Sequence, residues 1–467
     1  MPNPNLIVFL ILFFAPLVRG GNRPIALMIL ELLGLSLLAW LIITPHFKWQ
    51  PSKKQRWFMG LLIAYPLLQL IPIPFDLWQT LSGHAYYASA LQEAGISASG
   101  TWLPGSMAPE MTLYSLMTLI PAVAIFIFIA SSGEEKSASL CALLVGMAIF
   151  EALLGLAQAA YGPDTVLRLG WYHTGASAAG TYANRDHLAG MLEMILPLAL
   201  ALLASNARYH FKSPHPGGKG SIVSKLSHAS SWHVSRFTFY TTASIIILLG
   251  LIFTQSRSGV AIGMVVILLS ALIFSVKLKN NQQAGLIFSV TAVGIGFAIE
   301  LGLVPILKRF ALEDPLSDSR WVIYSDTSKA ISQFFPFGSG AGTFSQVFER
   351  FQSQDLLGVF INHAHNDYLE WLMEGGVVTV ILIVSFIALF TLQLATIWSH
   401  KRWSTVHYLQ MGAGIGIVAM GLHSLSDFNL HIPANQIFFA ALCGLFFRPT
   451  EKEIRLNDTN LHLSIAA

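Results

Sequence analysis

His365-Asn-Asp-Tyr-Leu-Glu-Trp-Leu-Met-Glu-Gly-Gly376 runs directly into Val377-Val-Thr-Val-Ile-Leu-Ile-Val-Ser-Phe-Ile-Ala-Leu-Phe-Thr-Leu-Gln-Leu-Ala-Thr-Ile-Trp398. The second stretch has 22 residues and no Asp, Glu, Lys or Arg. A helix crossing a bilayer needs about 20 apolar residues, so Val377–Trp398 reads as a membrane span. The polar stretch before it reads as the approach to that span. The rest of the chain is written the same way: 54% of its 467 residues are hydrophobic and only 11% charged, with a mean hydropathy of +0.61. A soluble domain carries roughly 25% charged residues. The fold class expected is therefore all-α, a polytopic membrane helical bundle. A net charge of +3 is too small to point to nucleic acid.

About twelve spans are predicted. Leu6–Val18, Pro24–Thr44, Trp57–Ile73, Met111–Ala130, Leu140–Tyr161 and Leu188–Ser205 fill the first half. Phe237–Thr254, Val260–Val276, Ala284–Leu303, Val377–Trp398, Val406–His423 and Ile432–Phe447 fill the second. Leu6–Val18 is short, and Pro433 and Asn435 interrupt the last run. The chain divides on this reading into spans 1–9 over 1–303, a large loop over 304–376, and spans 10–12 with a tail over 377–467. No internal repeat of the kind many transporters show is visible. The N-terminus lacks a basic region and an obvious cleavage site, so no removable signal peptide is expected. Cys141 and Cys443 fall in apolar runs and imply no disulfide or metal framework.

Loop charge sets the orientation. Pro45–Arg56 holds Lys48, Lys53, Lys54 and Arg56 without an acid, and Asn206–Arg236 holds Arg208, Lys212, Lys219, Lys225 and Arg236. Lys277, Lys279, Lys401 and Arg402 lie in loops of the same parity, whereas Pro74–Glu110 has no Lys or Arg. Positive loops stay in the cytoplasm. Both termini are then cytoplasmic and Asp314–Gly376 lies outside, although Arg19 and Arg23 break the pattern. A loop that long is functional or contains structure of its own. Asp326–Phe335 and Thr343–Gln354 have helical spacing, and Asn366–Glu374 reads as a short interfacial helix. Asn366 or Asp367 would cap it, and Gly375-Gly376 would stop it.

Three groups on the outer side offer chemistry: Arg257 in Thr254-Gln-Ser-Arg-Ser-Gly259, Arg320 in Asp318-Ser-Arg-Trp321, and the pair His363 and His365. Ionisable groups at the lip of a span are usually functional. Guanidinium forks suit diphosphate oxygens, and an imidazole beside them suits removal of a proton from an acceptor. Each has another reading. Arg257 at a span end also serves as an interfacial anchor, and Arg320 pairs with Asp318 as an ordinary loop residue. The His-x-His pair suits a metal, but no Asp-x-Asp or His/Glu cluster stands nearby in sequence to complete a shell. A histidine also caps helices. Gly338-Ser-Gly-Ala-Gly342 superficially matches a nucleotide loop, yet without a βαβ unit a tight turn is the better reading.

Several segments together resemble the O-antigen ligase and polymerase superfamily, bacterial glycosyltransferases that use undecaprenyl-diphosphate-linked glycans. These are Gly180-Thr-Tyr-Ala-Asn-Arg-Asp-His-Leu-Ala-Gly190, Ser256-Arg-Ser-Gly259 and His423-Ser-Leu-Ser-Asp-Phe428. His365-Asn366, followed after nine residues by Gly376 and then Thr379, fits the family's His-Asn/Ser-x9-Gly-x-x-Gly/Thr/Tyr pattern. The resemblance implies a helical bundle in the bacterial inner membrane with its active site toward the periplasm. It implies His365 as general base, Arg257 and Arg320 as diphosphate ligands, and inversion at the anomeric carbon. His363, Arg185, Asn366, His423 and Asp427 are supporting candidates. No metal and no cofactor are expected.

The expected partners are a lipid-diphosphate-linked glycan donor, a lipid A-core or growing-glycan acceptor and membrane lipids. Transfer to lipid A-core is favoured, because the outer loop is compact and no further periplasmic domain follows. Alternatives are an O-antigen or exopolysaccharide polymerase, a protein O-oligosaccharyltransferase, and a polysaccharide or lipid transporter. Against the transporter, the polar residues cluster on one side rather than at the midplane.

Overall fold

The computed structural model describes residues 3–44, 51–96, 100–168, 175–210, 236–278, 296 and 319–449. The expected span Ala284–Leu303, apart from residue 296, and Asp318 lie outside these residues. Among the described residues, eight helices are long and apolar enough to cross a membrane. They are Pro24–Ile43, Pro109–Ser131, Glu134–Tyr161, Arg185–Ala207, Arg236–Phe253, Arg257–Lys277, Asp367–Ser399 and Thr405–His423. Pro4–Leu17 and Pro433–Phe446 are shorter apolar helices. The chain is an all-α, multi-pass membrane protein.

Two expected spans begin or end differently from the sequence reading. Trp57–Ile73 becomes the helix Lys53–Gln69, whose first turn is polar and whose apolar part is short. It stops before Pro72-Ile-Pro74 because residues ahead of proline leave the helical region. Those three residues instead form a strand paired antiparallel with Trp102–Pro104, an element that hydropathy could not reveal. In the last span Pro433 is no interruption. It occupies the first helical turn, where its missing N–H has no partner to lose. Buried Asn435 donates from Nδ2 to Asn429 Oδ1 at 2.8 Å.

The chain forms two compact units. The first comprises Met1–Ser131, Leu307–Ala395 and Gly421–Ala467. Within it Pro109–Ser131 packs against Pro433–Phe446, Pro24–Ile43 and Lys53–Gln69. Its polar segments carry a small core of their own, where Phe334, Phe344 and Phe348 meet Ala364 and Met373. The second unit comprises Ser132–Ile306 and Thr396–Met420. Its hub is the Arg185–Ala207 span, buried throughout its apolar stretch and packed by Glu134–Tyr161, Arg236–Phe253 and Arg257–Lys277. A helix that is apolar nearly all round belongs in such a central position.

Candidate active site

The site begins with a break in a helix. Asp367–Ser399 is two helices joined at Gly376, whose φ of 52° and ψ of −135° are non-helical. A side chain at Gly376 would overlap the Pro336 carbonyl oxygen, and one at Gly338 would overlap the Glu374 carbonyl. Two glycines thus let two backbones touch. Ser339 N donates to Met373 O at 3.0 Å, Gly340 N to Glu374 O at 3.0 Å, and Val377 N to Pro336 O at 2.9 Å. The first two satisfy carbonyls at the end of the helix before the break, and the third satisfies an N–H at the start of the helix after it. Thr379 Oγ1 donates back across the break to Trp371 O at 2.8 Å. Gly338, Gly340 and Gly342 all have positive φ, so the glycine-rich loop is a tight turn. The short helix expected over 366–374, with its stop at Gly375-Gly376, is present as the segment ahead of the break.

Asn366 is its cap. Its Oδ1 accepts from Tyr368 N at 3.0 Å and Leu369 N at 3.1 Å, while Nδ2 donates to Leu425 O at 3.0 Å. His365, immediately before the cap, has φ of 52°. That left-handed conformation is uncommon outside glycine, although asparagine, aspartate and histidine adopt it more often than other residues, and strained backbone of this kind concentrates at functional sites. The turn is pinned by Tyr324, whose hydroxyl donates to His365 O at 2.8 Å. His365 Nδ1 lies 3.2 Å from Oδ1 of buried Asp427. A carboxylate on one ring nitrogen fixes tautomer and orientation and leaves the other for proton transfer. Nε2 of His365 has no hydrogen-bond partner among the described residues.

His363 plays a different part. Its ring stacks on Phe428 at 4.1 Å, whereas His365 meets the same ring edge-on at 5.0 Å. His363 Nδ1 lies 2.8 Å from Glu370 Oε1, and Glu370 Oε2 accepts from Ala364 N at 2.7 Å. His431 Nε2 approaches Glu370 Oε1 at 3.3 Å, and its Nδ1 lies 2.7 Å from Asp367 Oδ1. Burial opposes a charge on His431, but Glu370 and Asp367 outweigh it and raise its pKa to about 10. An imidazolium between two carboxylates is the consequence.

The sequence assigns no role to Glu370 or His431, and to Asp367 only that of a candidate helix cap. Asp367 and His431 are separated by 64 residues. The usable signal was that Glu370 stands seven residues after His363, two turns along if helical.

The sequence reading found no cluster to complete a metal shell beside the His-x-His pair. The structure corrects that. His363, Glu370 and His431 place ligand atoms within 4.8 Å of one another. The histidine that joins His363 in this group is His431, not His365.

Arg320 and Tyr324 stand one turn apart on the helix Ser319–Phe334. Arg320 donates to Ser426 O at 2.9 Å, one residue from the Asp427 that holds His365. Of the supporting candidates, Asn366 and Asp427 thus meet His365 directly. His423 is fully buried, and its carbonyl accepts from Ser426 N at 2.9 Å and Asp427 N at 3.1 Å. Arg257 and Arg185 belong to the second unit. Arg257 opens the helix Arg257–Lys277 behind the cap Ser256, whose Oγ accepts from Gly259 N at 3.2 Å. Arg185 opens Arg185–His210.

Residues 242–384 match the family model described as O-antigen ligase. Over this stretch the chain is similar to the O-antigen ligase family. The match takes in Arg257, Arg320, His365 and Gly376 and ends before Asp427 and His431. No curated protein matches the chain. The superfamily consists of membrane glycosyltransferases of the ligase and polymerase type, acting on lipid-linked glycans.

Proposed function

We propose that the protein is an O-antigen ligase-type glycosyltransferase of the bacterial inner membrane, working at the periplasmic face. It moves a glycan from undecaprenyl diphosphate to a lipid A-core acceptor. The observation that carries this reading is the Asp427–His365 pair at 3.2 Å, whose histidine sits at positive φ inside the matching family segment. His365 Nε2 takes the proton of an acceptor hydroxyl as its oxygen attacks C1 of the donor sugar. The C1–oxygen bond to the diphosphate breaks on the opposite face, the configuration inverts, and undecaprenyl diphosphate leaves. Arg257 and Arg320 offset the charge that develops on it, so the scheme includes no metal.

The direct test supplies purified protein in liposomes with a lipid-linked glycan. The acceptors are lipid A-core, a growing lipid-linked glycan or a serine-containing peptide. Product on lipid A-core is expected. Product on either other acceptor alone replaces the ligase reading with the corresponding rival, and no product with any of them overturns it.

Two further outcomes are expected. Lysine at Arg257 or Arg320 keeps the charge and loses the planar fork. Arg257→Lys and Arg320→Lys should each cut transfer by about tenfold or more at unchanged membrane abundance, because a bidentate contact is worth roughly 1.5–3 kcal/mol. Near-normal transfer would reduce that arginine to an anchor.

Orientation is read with Gln346→Cys, an exposed position in a chain whose native Cys141 and Cys443 are both buried. An impermeant thiol reagent should label it on intact spheroplasts. Labelling only after lysis would invert the topology.

A further inference from the structure

We propose that Glu370 and His431 are positioning residues that clamp the turn carrying His365. The inference rests on His365 being the base. Glu370 Oε2 takes the N–H of Ala364, the residue just before the strained turn, at 2.7 Å. Its Oε1 holds the rings of His363 at 2.8 Å and His431 at 3.3 Å. His431 passes the tie on to Asp367 at 2.7 Å. Asp367 in turn takes Leu430 N at 3.2 Å and gives its own N–H to Ser424 O at 2.9 Å. Residues 363–370 and 424–431 are therefore cross-linked on both sides of His365, and Asp427 sits in the second of those segments. A left-handed histidine relaxes unless its neighbours hold it, and the clamp holds the residue before it.

A metal is the competing use of the same side chains. Ligand atoms about 2.0–2.1 Å from a tetrahedral zinc stand about 3.3 Å apart. The 2.8 Å between His363 Nδ1 and Glu370 Oε1 is shorter and is hydrogen-bond spacing. Both ring nitrogens of His431 already face carboxylates. The cluster is closed by its own ion pairs.

The test compares Glu370→Gln, His431→Gln and the double variant with His365→Ala, all in liposomes with the lipid-linked donor. Misplacing a reacting group by about an ångström costs up to about a hundredfold. Each single variant should lose about ten- to a hundredfold in kcat with the donor KM within about twofold. The double variant should be no worse than the weaker single, since groups acting as a unit are not additive. An unchanged kcat in the single variants overturns the clamp. So does a donor KM that worsens in step with kcat, which marks a merely structural role. So does a stoichiometric divalent ion in the wild-type protein whose chelation abolishes transfer.

If neither clamp variant accumulates, Tyr324→Phe decides, because it frees the same turn from its other side. A reduced kcat at unchanged KM supports the held turn, and an unchanged kcat overturns it. The His365→Ala control separates the two readings. Its retained turnover would overturn the base assignment, whereas dead His365→Ala beside normal clamp variants would overturn the clamp alone.

Discussion

His365→Ala is expected to lower glycan transfer by about 10²–10⁴ while the lipid-linked donor still binds. General-base removal typically costs that much. The diphosphate would remain held by Arg257 and Arg320, so donor affinity should be nearly untouched. Asp427→Asn should fall in the same direction. An amide can occupy the 3.2 Å contact with His365 Nδ1, but it does not stabilise the imidazolium that forms as the proton arrives. His363→Ala should be milder, because that ring is tied to Glu370 and stacked on Phe428. The comparison needs variants matched for membrane abundance, with donor binding and product measured on each. The base is wrongly assigned if His365→Ala keeps most of its turnover. It is also wrongly assigned if His365→Ala loses donor binding while His363→Ala loses turnover.

The sequence made the membrane fold legible because the signal is one-dimensional. A run such as Val377–Trp398 needs no partner to be recognised; its length and lack of charge suffice. What failed was local. Pro72-Ile-Pro74 pairs with a strand about thirty residues on, and three-residue strands leave no periodicity. Pro433 looked like a breaker because its place in the helix decides its effect, and only the structure gives that place.

The site divides in the same way. His365, Asn366 and Asp427 were found through short motifs, and the cap at Asn366 follows from residue type alone. His431 was not found. A buried histidine becomes informative only when Asp367 and Glu370 face it, and those contacts join segments some sixty residues apart. The His363–Glu370–His431 group is invisible in the sequence for the same reason: His431 is a neighbour of the other two in space and not along the chain.

Gly376→Ala should be severely damaging for the addition of one methyl group. At φ of 52° and ψ of −135°, an alanine leaves the region that L-residues tolerate, at about 1–3 kcal/mol for the strain alone. The added carbon also meets the Pro336 carbonyl oxygen, a backbone atom that no rotamer change removes. Relief requires the 336–340 loop to separate from the end of the 367–375 helix. That breaks the bonds from Ser339 N, Gly340 N and Val377 N and releases the helix whose cap aims His365. Both a lower melting temperature in detergent and a loss of transfer are therefore expected. Gly95→Ala supplies the control, since Gly95 has φ of 73° and no heavy atom within 4 Å of an added carbon. It has a positive φ without the overlap. Gly376→Ala should melt well below Gly95→Ala and lose transfer that Gly95→Ala retains. Equal melting and equal turnover in the two would show that the joint between the two backbones yields, and that His365 does not depend on it for its place.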